Sequence, residues 1–222
     1  MVAVRVREVR DRIEAARHRG GHAQDVVLIA VTKTHGIEAV RAAFHAGVLD
    51  VGENRVQEAE PKMASCDVPV RWHLIGHLQR NKARAAVDFD VVHSLDSERL
   101  AAALDRAAQD ASKTLDVLVQ VNVSGETSKS GVGMAELREL AERLQGFRSL
   151  RVCGAMTMAP FDADEGTLRQ VFRGARAARD LLAAAGHPAT MLSMGMSGDF
   201  EVAVEEGATH VRLGTILFGT RS

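Results

Sequence analysis

Eight short apolar runs recur along the chain, each separated from the next by a longer stretch with helical or Ala-rich character, and no other feature restricts the fold so much. The runs are VVLIAVTK, VLDVGEN, RWHLIGH, DVVHSL, DVLVQVNV, LRVCGAMTM, TMLSMG and HVRLG. Between them lie stretches such as IEAVRAAFHAG, SERLAAALDRAAQDA and MAELRELAERLQG, several ending at a glycine that can close a helix. Strand followed by helix, repeated, requires parallel strands joined by right-handed crossovers. Eight such units in 222 residues predict a closed (β/α)8 TIM barrel, a fold of roughly 200 to 400 residues. An open doubly wound sheet is the alternative, but the glycine-rich dinucleotide fingerprint that would favour it is missing. An extra helix is expected over about Val4 to Arg19, closed by Gly20 and Gly21. With no Pro- or Ser-rich linker to divide the chain, residues 1–222 are expected to form one α/β domain.

The charge balance narrows the partners. Lysine and arginine number 28 against 29 acidic residues, so no net field recruits nucleic acid or an anionic membrane. Cys66 and Cys153 are far apart and form no C-x-x-C, which fits a reducing compartment and disfavours a disulfide framework or a zinc knuckle. The N-terminal residues lack an apolar signal core, and no later segment has the length to span a bilayer. A soluble, cytoplasmic, monomeric protein with a small-molecule ligand is the expectation.

In such a barrel, ligand chemistry collects at the carboxyl ends of the strands. Lys33 ends the first run, Glu53 and Asn54 the second, His77 the third; Asn122 lies near the end of the fifth, and Met156 and Met158 end the sixth. The seventh runs into GMSGD, and the eighth carries Arg212 before Gly214 and Thr215. Val27, Ile29, Val31 and Lys33 share one face of an ideal strand, so an inward-pointing valine implies an inward-pointing amine. Burial would lower its pKa from ~10.4 to 7 or 8, about 4 kcal/mol of differential solvation, and leave a nucleophile able to form a Schiff base. The plainer alternative is a lysine extending its stem to water. Ser197-Gly198 and Gly214-Thr215 each open a helical pattern, where free amides favour an anion, and barrels often hold phosphate after their last two strands. Arg212 shares a face with His210 and can stand between that cradle and the lysine.

The blocks AVTKTHG, VGENRVQE, WHLIGHLQRNK, VNVSGETSKSGV, LSMGMSGD and VRLGTILFG, in this order and spacing, resemble those of the pyridoxal phosphate homeostasis proteins. The resemblance implies a barrel like the N-terminal domain of alanine racemase, with pyridoxal 5′-phosphate (PLP) in Schiff-base linkage to Lys33. It implies phosphate contacts from Ser197 and from backbone around Gly214 and Thr215, with Arg212 facing the pyridine nitrogen and Asn54 and Met156 lining the pocket. An arginine there keeps the ring nitrogen unprotonated and the cofactor a poor electron sink. The implied role is carriage and buffering of PLP in vitamin B6 homeostasis, with PLP-dependent apo-enzymes as recipients and no catalytic residue assigned. One departure is Gly36, where the family usually has proline, which loosens the first turn.

Two enzymatic readings stand beside this one. A racemase on this barrel uses a second base, supplied as a tyrosine by a partner's additional domain. The sequence contains no tyrosine and ends soon after its eighth run. A Schiff-base aldolase acting on a sugar phosphate is the third reading, which the family blocks disfavour. His73 and His77 stand four apart but on a strand pattern, so no metal is expected. SGETSKSGVG lacks the glycine before Lys129 that a phosphate loop requires, and reads as a lid with Lys129 as a secondary contact. Gln79 to Lys82 belong to a family block whose role the residues do not disclose, and Trp72 is expected in the barrel wall.

Overall fold

In the computed structural model, which describes residues 1–125 and 130–219, each of the eight runs contains a strand. These are β1 (Val27–Val31), β2 (Asp50–Glu53), β3 (Arg71–Leu74), β4 (Val91–Leu95), β5 (Leu115–Asn122), β7 (Leu150–Met156), β8 (Met191–Ser193) and β9 (His210–Leu213), together with a two-residue β6 (Val132–Gly133) that the sequence pattern does not reveal. All pairings are parallel, in the order β4-β3-β2-β1-β9-β8-β7-β5-β6. Val91 of β4 also pairs with Asp116 of β5, and this closes the sheet. The result is the expected eight-stranded barrel, with β6 added beside the end of β5.

The helices are α1 (Val2–Gly20), α2 (Ile37–His45), α3 (Val56–Ala64), α4 (Ala83–Ala86), α5 (Glu98–Asp110), α6 (Leu137–Leu144), α7 (Glu165–Ala184), α8 (Phe200–Glu205) and α9 (Thr215–Phe218). Side-chain caps fix where two of them begin. Ser97 Oγ accepts from Leu100 N–H at 3.3 Å, and Asp164 Oδ1 from Thr167 N–H at 2.8 Å. Outward strand residues such as Leu28, Ala30, Val51, Trp72 and Leu74 pack beneath the helices in the main core. A second cluster of Val91, Leu118, Cys153 and Met156 fills part of the barrel interior.

The leading helix completes the ring. Among the described residues, β9 is followed by the single turn of α9, which is too short to cover the seam between β9 and β1. Helix α1 packs against α2, α8 and α9 instead, burying Val6, Val9, Ile13 and Ala16, whose spacing of three and four traces one helical face. Arg12 and Arg19 pair with Glu201 and Glu205 of α8, each at 2.6 Å. Gly20 is a contact glycine: an added Cβ would lie 2.5 Å from the Glu205 carbonyl oxygen. Among the described residues no helix is long and apolar enough to cross a membrane.

Candidate functional site

The first strand stops at Val31, so Lys33 stands two residues beyond it and not at its end. Thr32 still donates its amide to Gly52 O at 3.0 Å, but His35 N–H then bonds back to Thr32 O at 3.0 Å and closes a turn around Lys33 and Thr34. Thr34 has φ of 66°, a left-handed conformation that a β-branched residue rarely takes. Lys33 is half-buried in this turn. The peptide before it is clamped from the outer side. Lys62 Nζ of α3 donates to Thr32 O at 2.9 Å and to Glu53 Oε1 at 2.7 Å, while Thr32 Oγ1 donates to the same carboxylate oxygen at 2.6 Å.

Across the seam, the loops after β8 and β9 meet. Ser197 Oγ accepts from Ile216 N–H at 3.4 Å, joining the Ser197-Gly198 turn to the start of α9. Among the described residues, the amides of Ser197, Gly198, Gly214 and Thr215 donate no hydrogen bond; Gly214 and Thr215 are the N-cap and first residue of α9, whereas Ser197 and Gly198 form the turn just before Asp199, the N-cap of α8. Gly214 runs so near β1 that a Cβ there would sit 3.3 Å from Val31 O. The His35 and Phe218 rings, 5.2 Å apart, tie the lysine turn to α9. The fold therefore gathers Lys33, Ser197, Gly214 and Thr215 at one end of the β8–β9–β1 wall.

Arg212 lies inside the barrel, 4% exposed. Its Nη1 donates to Ser193 Oγ at 2.6 Å and its Nη2 to Thr157 O at 2.9 Å. Burial draws its pKa down to about 10, against the opposing pull of the Asp199 charge. Met156 is fully buried beside Cys153 in the inner cluster. Asn54 is half-buried in the bend after β2 and lines a cavity of about 210 Å³ shared with His77, Gln79 and Lys82, which brings it to the 79–82 block. His77 lies beyond the end of β3, 3.5 Å from Asp96. Lys129 lies outside the described residues.

A polar chain that sequence reading did not identify crosses the barrel interior. Arg212 meets Ser193, whose Oγ lies 3.0 Å from His93 Nδ1; His93 Nε2 lies 2.9 Å from His73 Nδ1; His73 Nε2 lies 2.9 Å from Asp50 Oδ1. β3 and β4 are not neighbours of β8 and β9 in the sheet, so His93 and Ser193 can meet only across the lumen. The available signal was parity: His73 and His93 alternate with the outward residues Trp72, Leu74 and Val92.

Residues 4–222 match the family described as alanine racemase, N-terminal domain. The pyridoxal phosphate homeostasis protein of Pseudomonas aeruginosa is 43% identical over 223 residues, covering 99% of this chain and 96% of that protein. The chain belongs to the pyridoxal phosphate homeostasis protein family. The solved structure of PipY of Synechococcus elongatus with PLP bound aligns with a TM-score of 0.87 and 38% identity, covering 99% of this chain and 100% of that one. Alanine racemase of Streptomyces lavendulae aligns with a TM-score of 0.77 at 20% identity, covering 99% of this chain and 57% of that one, a likeness of fold. The pyridoxal phosphate homeostasis family thus shares its barrel with a longer enzyme.

Proposed function

We propose that this chain, as one domain, binds PLP as a Schiff base on Lys33 and carries or buffers it for vitamin B6 homeostasis in the cytoplasm. The observation that carries this reading is the gathering of a lysine turn and two amide-rich turns at the carboxyl end of the β9–β1 seam, with the buried Arg212 on β9 itself. PipY, similar along the whole chain and solved with PLP, supports it.

The donor set fits the cofactor. When bound, PLP supplies an aldehyde that condenses with an amine, a pyridine ring and a phosphate dianion. The free amides of Ser197, Gly198, Gly214 and Thr215, with the Ser197 hydroxyl, suit the phosphate. Arg212 has five N–H donors and no acceptor, and a pKa of about 10 keeps it charged at neutral pH. It can donate to a ring nitrogen but receives no proton from it, which disfavours electron withdrawal through the ring. Lys33 supplies the amine, and an incoming amine must displace it for release. Asn54 would border the pocket, and Met156 would support it through inner packing. Apo-enzymes that use PLP are the proposed recipients, and the carrier is proposed to act as a monomer.

The test is a visible absorption spectrum of the protein loaded with PLP, beside Lys33→Ala. The wild type should be yellow, and borohydride should bleach it and add the mass of a reduced PLP adduct at Lys33. Equal colour in Lys33→Ala would overturn the assignment. Racemisation of alanine by the yellow protein at an ordinary enzymatic rate would overturn the carrier role in favour of a racemase.

A further inference from the structure

The two ends of the interior polar chain are chemically one-way. Arg212 can only donate hydrogen bonds, and the Asp50 carboxylate can only accept them. Ser193, and an imidazole in its neutral form, each supply one donor and one acceptor to such a line, so with both rings in that form the termini dictate every proton between them. Arg212 Nη1–H donates to Ser193 Oγ, Ser193 O–H to His93 Nδ1, His93 Nε2–H to His73 Nδ1, and His73 Nε2–H to Asp50 Oδ1. Burial holds His93 well below its ordinary pKa, in keeping with a neutral ring. His73, His93 and Ser193 are fully buried, so water offers them no competing partner.

Asp50 is the first residue of β2 and therefore lies at the amino-terminal end of the barrel, opposite the lysine turn. It borders a solvent-open cavity of about 400 Å³ beneath the barrel, with Arg10, Arg17 and Asp25 among its neighbours. Arg71 also reaches within 3.6 Å of the Asp50 carboxylate. The line thus runs from a half-buried acid at the floor to the buried arginine proposed to face the cofactor ring.

We infer that Asp50 is a positioning residue for Arg212, acting through His73, His93 and Ser193. Asp50 anchors the sense of the chain, the chain presents the Ser193 oxygen as an acceptor, and that acceptor holds one arm of the guanidinium while Thr157 O holds the other. Without an acceptor at the floor, His73 has no partner for Nε2–H and shifts its proton to Nδ1. The sense of the line then reverses, and Ser193 faces donors from both sides. The inference rests on the proposed role of Arg212 for its consequence in PLP binding, but the chain itself is present in the protein without cofactor.

Nitrogen-15 NMR of the cofactor-free protein tests the chain directly. The wild type should show His73 and His93 each carrying its proton on Nε2, and guanidinium protons of Arg212 that exchange slowly. Asp50→Leu should move the His73 proton to Nδ1 and speed Arg212 exchange. Ser193→Ala, a smaller change, should also speed that exchange, and it keeps the test decisive if Asp50→Leu fails to fold. Unchanged exchange in Ser193→Ala, or unchanged imidazole protonation in a folded Asp50→Leu, overturns the relay. With PLP added, Asp50→Leu should bind about fivefold or more weakly, within the usual range of coupling between separate sites. His93→Phe should weaken binding similarly, and the double variant should lose no more than His93→Phe alone. Additive losses overturn the relay, whereas a wild type that binds no PLP overturns the proposed function and leaves the NMR result to judge the chain.

Discussion

The Lys62 ammonium lies 2.7 Å from Oε1 of Glu53, a residue with no exposure to solvent. The other carboxylate oxygen, Oε2, has no hydrogen-bond partner among the described residues, so compensation of the buried charge rests on Oε1 with Lys62 and Thr32. Lys62→Met should cost about 3–5 kcal/mol, the range for removing one partner of a buried ion pair. Denaturant unfolding of the two proteins measures it. The double change Lys62→Met with Glu53→Gln should recover part of the loss, because it removes the stranded charge.

Stability should fall as the solution is acidified from neutral. Burial, the leading cause, lowers the His210 pKa from 6.5 to about 4, helped by the Arg71 and Arg212 charges and opposed by Asp50. Between those values the unfolded chain binds the proton and the folded chain does not, so stability rises with pH across this window and is lost as pH drops through it. The gap corresponds to roughly 3 kcal/mol once pH is below both values. His93, lowered for the same leading reason, adds loss in the same direction. Melting temperatures from pH 7 to pH 4 should show the decline, and a folded His210→Gln variant should show a shallower one.

Thr34→Gly should stabilise the free protein. A left-handed β-branched residue carries roughly 1–2 kcal/mol of conformational cost that glycine lacks, while the glycine's greater unfolded-state freedom returns up to about 1 kcal/mol. A net gain of about 0.5–1 kcal/mol in chemical denaturation is expected. A loss of stability would show that the threonine side chain makes a compensating contact.

At Gly20 two effects oppose each other. Alanine improves helix propensity by about 1 kcal/mol, but its Cβ would fall 2.5 Å from Glu205 O and 2.6 Å from Glu205 Cα, backbone atoms that cannot swing aside. The clash should prevail, and Gly20→Ala should lower the melting temperature by several degrees, on the scale of about 2 °C for each 1 kcal/mol lost in a domain of this size. Gly21→Ala meets no atom within 4 Å, so its cost should come from the positive φ of 67° alone.

The barrel was legible because its strands differ sharply in period from its helices, and β2, β4 and β9 fall within the quoted runs. The seam was legible for the same reason: parallel closure puts the last strand beside the first, hence Arg212 level with Ile29 and Gly214 against Val31. The boundary of β1 was not. AVTK continues a strand pattern, and only the Thr32–His35 turn with its left-handed Thr34 stops it, a conformation that threonine's propensity argues against. The Thr32–Glu53–Lys62 clamp and the Asp50-to-Arg212 line escaped because each joins residues whose meeting depends on register and barrel stagger. Inward histidines on apolar strands invite a search for partners, but sequence spacing does not place His93 opposite a serine one hundred positions away.

The wall between β9 and β1 has a temporal consequence. Its covering helix, α1, leaves the ribosome well before α8, since its ion-pair partners Glu201 and Glu205 are synthesised more than 180 residues later. During synthesis that amphipathic segment must stay unclaimed, or be shielded by a chaperone, until α8 emerges. The finished barrel is therefore locked by a contact between segments made far apart in time, and the lock cannot close until α8 has been synthesised.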